Sequence, residues 1–212
     1  MSGLVVLEGR WENNRNISVK GLFDLLMEMQ FENIHEYHFE NFATNETLRS
    51  ILGHVCGNNT RKNYIYIGAH GDDNGIHGSV DRISRTQLNN ILRNSIGGSI
   101  KGIFFGACLF GNENNAGFFF ERDVGIRRSV EWIAGYGESV DWIQSSAFDM
   151  IFWQHLLQAR RMFPDAHERE IIGGVCDCLK DLMGGMMRSL DFQAFRRTPR
   201  RPYEPEPLIN WE

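Results

Sequence analysis

Apolar residues along this chain fall into short runs that switch between the periods of strand and helix. Leu4, Val5, Val6 and Leu7 form an unbroken run closed by Glu8 and Gly9, which predicts a buried strand. Leu22, Phe23, Leu25, Leu26 and Met29 recur at helical spacing over 19–29, with Ser18 as the N-cap. Residues 36–42 alternate through Tyr37, Phe39 and Phe42 and predict a second strand. Thr44-Asn45-Glu46 opens a helix to residue 57 with Leu48, Ile51, Leu52 and Val55 on one face. A strand at 64–69 follows. The Gly- and Asn-rich segment 72–78 then reads as a tight hairpin or loop. Ser84 caps a helix to Leu92, and 100–107 is the next strand. Residues 110–123 are polar, aromatic and glycine-containing, which predicts a loop or irregular helix. A strand at 130–136, an amphipathic helix at 145–162 and a helix at 168–187, weakened by two Gly-Gly pairs, complete the pattern.

This alternation predicts an α/β fold: a mostly parallel sheet with helices on both faces. The connections are short, so 1–195 reads as one domain, and 212 residues suffice for a full α/β core. From Arg196 the chain is Arg- and Pro-rich, then acidic, and 196–212 reads as an extended tail. The net charge of −5 provides no basic field, which weighs against nucleic acid as a partner. No apolar run approaches the roughly 20 residues that span a bilayer. The N-terminus lacks the basic region of a secretory leader, so the expected location is cytoplasmic, with no membrane partner.

Cys56, Cys108, Cys176 and Cys178 are too few and too unevenly spaced for a disulfide framework. Cys176 and Cys178 flank Asp177 without the second ligand pair that a zinc site uses. His167-Glu168 does not begin a zinc-binding H-E-x-x-H, because Ile171 holds the second His position. No metal site is expected, and every thiol but Cys108 reads as buried or idle.

Two strands end on reactive residues. Asn63 to Ala69 runs into His70-Gly71, and Lys101 to Ala107 runs into Cys108. The two lie 38 positions apart, room for one crossover helix between neighbouring parallel strands. Both then stand at one sheet edge, where open α/β folds place their sites. A thiol beside an imidazole is a nucleophile with its acid/base partner. Gly71 leaves room for a carbonyl to approach its N–H, and the N–H of Cys108 supplies a second oxyanion donor. Taken singly, a Cys after an apolar strand is usually a core thiol and a His-Gly usually a turn. Their joint placement is what favours catalysis. Asp72 and Asp73 read as a solvated turn, and His77 as a hairpin surface position. Trp132, Trp142 and Trp153 read as core.

Residues Ile65 to Asp72 (Ile-Tyr-Ile-Gly-Ala-His-Gly-Asp), Gly75-Ile76-His77-Gly78 and Ile103 to Cys108 resemble the caspase-like cysteine peptidases, which include caspases, metacaspases, gingipains, separase and the bacterial CHAT proteases. Residues 132–141 and 147–157 look like the CHAT pattern of strand, Val-Asp loop and aromatic helix. The likeness covers residues 1 to 160. It implies a three-layer α/β/α sandwich and a cysteine endopeptidase working through a thioester, without a cofactor. It implies His70 as acid/base, Cys108 as nucleophile and Gly71 as oxyanion donor. It further implies a protein substrate and an activating protein partner, in a bacterial stress or antiviral defence setting. Caspases that cut after Asp carry Gln two residues before the nucleophile, where this chain has Gly106, and follow it with Arg-Gly, where this chain has Leu109-Phe110. Glu138 and Asp141 instead offer carboxylates to a basic residue before the scissile bond. The rival for Asp141 is an acid stabilising the dipole of the following helix. The rivals for the whole chain are a catalytically silent binding module and a different thiol-dependent α/β hydrolase or transferase.

Overall fold

The computed structural model describes residues 3–12, 17–30, 36–57, 61–121, 125–199 and 204–211. Its central sheet follows from the buried apolar runs. Strands β1 (Gly3–Glu8), β2 (Tyr37–Asn41), β3 (Lys62–Gly68), β7 (Gly102–Gly106) and β8 (Trp132–Tyr136) pair in parallel, in the order β8-β7-β3-β1-β2. Crossover helices connect them: α1 (Lys20–Gln30), α2 (Asn45–Val55), α3 (Arg85–Ser95) and α4 (Glu113–Phe120). The capping boxes of Thr44 on α2 and Ser84 on α3 start these helices where the sequence predicts them. Between β3 and α3 the chain folds a small antiparallel sheet from β4 (His70–Asp72), β5 (Gly75–His77) and β6 (Arg82–Ser84). The segment read as hairpin or loop is thus regular and gains a third strand. Arg82 fixes it by a forked contact to Asp72, at 2.9 and 2.6 Å. That guanidinium holds the Asp72 carboxyl well below the usual range.

Alternate strand residues feed two separate cores, as the two-residue period demands. Val5, Leu7, Ile65, Ile67, Ile103 and Phe105 pack on α2, α3 and α4. Leu4, Val6, Tyr64, Tyr66, Phe104, Trp132 and Tyr136 pack on α1, α5 (Trp142–Met162) and α6 (Glu168–Ser189). The second layer is strongly aromatic, with Phe104 against Tyr66, Tyr136, Phe152, Trp153 and Phe192 at ring-centroid separations of 5.0 to 6.0 Å. Helix α6 is broken at Met183, whose φ of −145° is non-helical, just before Gly184-Gly185.

Two segments differ from the sequence reading. Residues 113–120 form helix α4, which the Asn112 side chain caps. The carboxy-terminal stretch supplies two antiparallel strands, β9 (Phe192–Arg197) beside β8 and β10 (Pro205–Pro207) at the edge. The boundary after residue 195 therefore falls inside β9. Proline is tolerated there because an edge strand leaves one row of N–H positions unpaired. Arg196 also pairs with Glu206 across the two strands, at 2.5 Å. Residues 200–203 and 212 of that stretch lie outside the described residues. Among the described residues no helix is long and apolar enough to cross a membrane.

Candidate active site

The register of β3 and β7 decides where the two reactive side chains stand. Gly68 pairs with Gly106, and the Ala69 N–H still reaches the Gly106 carbonyl at 3.2 Å. His70 and Cys108 each lie two residues beyond that pair, at the carboxyl edge of adjacent strands. Both line one cavity of about 80 Å3. A Cβ on Gly71 would lie 2.5 Å from the Cys108 carbonyl oxygen and 3.0 Å from Ala107 Cβ, so only glycine permits this approach.

Cys108 is half-buried, and the Val140 N–H points at its Sγ from 3.4 Å. The next residue, Leu109, has φ of 63°, a left-handed conformation that costs an L-residue about 1 kcal/mol. Three contacts hold this turn. The Leu109 N–H donates to Glu138 O, the Asn112 side chain donates to Leu109 O, and the Gly111 N–H donates to Tyr136 O. The nucleophile candidate thus sits on a sharp, braced exit from its strand.

His70 is exposed, and its Nε2 lies 2.5 Å from the Trp11 carbonyl oxygen. A carbonyl only accepts, so Nε2 carries the hydrogen and Nδ1 is the bare nitrogen of the neutral ring. The Trp11 indole meets the imidazole edge-on, with centroids 5.5 Å apart at 76°. The imidazole is therefore held at Nε2 and along its ring by one residue, Trp11.

The cavity floor carries a carboxylate. Asp149 of α5 accepts from Tyr66 at 2.7 Å and from Tyr136 at 2.5 Å. Burial pushes its carboxyl up to about 7, against the opposing pull of the two hydroxyls. The same burial, together with the Asp149 charge, pushes both tyrosines well above their ordinary value. The Tyr66 phenol reaches Asp149 through the space that a side chain at residue 106 would fill, since a Cβ there would lie 2.2 Å from its oxygen. Gly106 is thus a requirement of the Tyr66–Asp149 contact. Trp142 and Val140 complete the wall.

The sequence-derived candidates separate into two groups. His70, Gly71 and Cys108 converge. Asp141 instead caps α5, its Oδ1 accepting from the N–H groups of Ile143 and Gln144 at 3.0 and 2.9 Å. Glu138 is exposed and contributes its backbone carbonyl to the Leu109 turn. Neither lines the cavity. Trp132 and Trp153 are core, whereas Trp142 is half-buried and lines the cavity, with no partner for its buried indole N–H among the described residues. His77 faces Asp72 at 3.4 Å. Cys56 and Cys176 are buried, and burial pushes the Cys56 thiol up to about 12; Cys178 is exposed. No group of three or more His, Cys, Asp or Glu side chains among the described residues is placed to hold a metal. Asp149 was missed, although a readable signal exists. It shares the buried helical face of Ser145, Phe148, Phe152 and Trp153, where a lone acid is anomalous.

No family model matches the chain, and no curated protein matches it. Among solved structures it is similar to a secreted C11 cysteine protease from Bacteroides thetaiotaomicron, solved with an irreversible peptide inhibitor. The two share a TM-score of 0.55 at 10% identity, over 92% of this chain. The chain has a caspase-like fold. It spans 66% of the length of that protease. At this identity the likeness is one of architecture, and it matches the seven-stranded, mostly parallel sheet flanked by helices. Within that caspase-like sheet, β3 and β7 are the strands that carry the His-Gly and Cys ends.

Proposed function

We propose that this chain is a cysteine endopeptidase that cleaves protein substrates through a Cys108–His70 dyad. The observation that carries this reading is the shared cavity at the ends of two registered parallel strands, with Gly71 packed against the Cys108 backbone. In this mechanism the Cys108 proton passes to His70 Nδ1, and the sulfur attacks the substrate carbonyl carbon. The oxyanion faces the N–H groups of Gly71 and Cys108. His70 returns the proton to the leaving amine as the C–N bond breaks and a thioester forms. Water then attacks the thioester, releasing the acid and restoring the thiol.

The residue before the scissile bond is basic in this proposal. Gly106 offers no amide for an Asp, whereas Asp149 stands on the cavity floor, with Glu138 and Asp141 on the loop nearby. A guanidinium entering the cavity would hold Asp149 ionised and pair with it. The CHAT-like pattern over 132–157 supports a place among regulated proteolytic effectors in bacterial stress or antiviral defence, switched on by a protein partner. The cytoplasm is the proposed location, although the structural neighbour is secreted.

A peptide library varied at the residue before the cleavage point tests the proposal. Cleavage after Arg or Lys that disappears in Cys108→Ala supports it. Absence of turnover across the library by a folded wild-type protein favours the silent binding module. Release of acyl groups from small esters alone favours the other thiol enzyme.

A further inference from the structure

The carboxylate at the end of β1 has no task in the chemistry above, yet it is 1% exposed. Glu8 gathers neutral donors. Its Oε1 accepts from the Trp11 indole N–H at 2.6 Å and from the Val19 N–H at 2.8 Å. Its Oε2 accepts from the Ser18 hydroxyl at 2.5 Å and from the Asn41 amide at 3.4 Å. An ionised acceptor strengthens each such contact relative to a neutral one.

Residues 9–12 leave β1 beside the cavity. Their root is fixed, because the Gly9 N–H donates to Gly68 O at 2.8 Å and a Cβ on Gly9 would lie 2.4 Å from His77 O. Beyond that root, Trp11 is held through its ring. The indole N–H is on Glu8, the ring edge is on His70, and the six-membered ring approaches Gly68, where a Cβ would meet Cζ2 at 3.3 Å. The Trp11 carbonyl that meets His70 Nε2 belongs to the residue so clamped.

We propose that Glu8 is a positioning residue: through the Trp11 indole it fixes the Trp11 carbonyl on His70 Nε2, and so keeps Nδ1 the nitrogen that serves Cys108. The catalytic consequence rests on the peptidase reading; the positional linkage does not. Release of the indole would leave the Trp11 backbone free to turn its carbonyl off the imidazole, and the two tautomers would then compete.

Trp11→Phe is the first test. It keeps an aromatic ring at this position and removes the indole N–H together with part of the ring, while Glu8 retains Val19, Ser18 and Asn41. On a peptide substrate kcat should fall about tenfold with KM within twofold. Glu8→Leu should lose at least as much, and Glu8→Gln, which keeps an acceptor oxygen for the indole, should recover most of it. Nitrogen-15 spectra of the imidazole should show His70 as the Nε2–H tautomer in wild type and a mixture in Trp11→Phe. Unchanged kcat in Trp11→Phe, a loss confined to KM, or an unchanged His70 tautomer would overturn the proposal. Should wild type cleave nothing, the peptidase reading fails, and the tautomer spectra alone still decide whether Glu8 controls His70 through Trp11.

Discussion

Two buried acids mark the two ends of the aromatic layer, and they are built alike. Tyr64 and Tyr66, two residues apart on β3, each give a hydroxyl to one of them. Glu168 accepts from Tyr64 at 3.1 Å and from the Trp132 indole at 2.8 Å, and Asp149 accepts from Tyr66 and Tyr136. In both cases one donor comes from β3 and one from β8, and burial raises the acid. The surroundings differ. Glu168 opens α6 and feels the positive charge of Arg160. Asp149 sits mid-helix, with only the two tyrosines lowering it, and it lines the cavity that holds His70 and Cys108. The same device is enclosed at one end of the layer and meets a cleft at the other, where the proposed function makes it the receptor for a basic side chain. Among the described residues no positive charge lowers Asp149, and the proposed function supplies one with the substrate.

The largest expected effect separates the two by function. Asp149→Ala should reduce kcat/KM for an Arg-directed peptide about a hundredfold or more, the scale of losing one partner of a buried charge pair. Glu168→Gln should stay within threefold on the same peptide. Equal losses in the two variants would erase the distinction. Stability should divide them the other way. Glu168→Ala strands the buried Trp132 indole N–H and removes an acceptor from the Tyr64 hydroxyl, at a cost of about 2 kcal/mol measured by urea unfolding.

Asp149 contributes to the pH dependence of folding, as does Glu168, which burial also raises. The Asp149 carboxyl rises from 3.8 to about 7 on folding, so between those values the folded chain holds a proton that the unfolded chain has released. Its contribution is complete below pH 4 and is lost as pH rises through 7. Asp149→Asn should flatten that slope and add about 1–3 kcal/mol at pH 8, with little change at pH 4. A slope unaltered by the substitution would show that another group carries it. The smallest effect belongs to the cleft end alone, where Leu109 holds a left-handed backbone. Leu109→Val should lower stability by about 1 kcal/mol, because branching at Cβ makes that conformation costlier.

Much of this was legible in the residues. The runs ending at His70 and Cys108 gave both strands and their shared edge, and Thr44 and Ser84 announced their helices through local capping chemistry. What escaped depends on contacts distant in sequence. Asp149 meets Tyr66 across 83 positions, and His70 meets Trp11 across 59. No local pattern encodes such pairs. The strands β9 and β10 escaped for a different reason. Arg and Pro argue against regular structure, yet an edge strand accepts both once a neighbour supplies the ladder. Asp141 stood open between a ligand and an acid at the start of a helix, and its carboxylate caps the helix it precedes.

One measurement bears most directly on the pairing of sulfur and imidazole: mass-spectrometric mapping of an electrophilic Arg-directed peptide probe on wild type and on His70→Ala. The account predicts modification of Cys108 alone in wild type and a loss of about a hundredfold in rate in His70→Ala. Equal labelling of the two proteins, or modification of the exposed Cys178 in preference to Cys108, would contradict it.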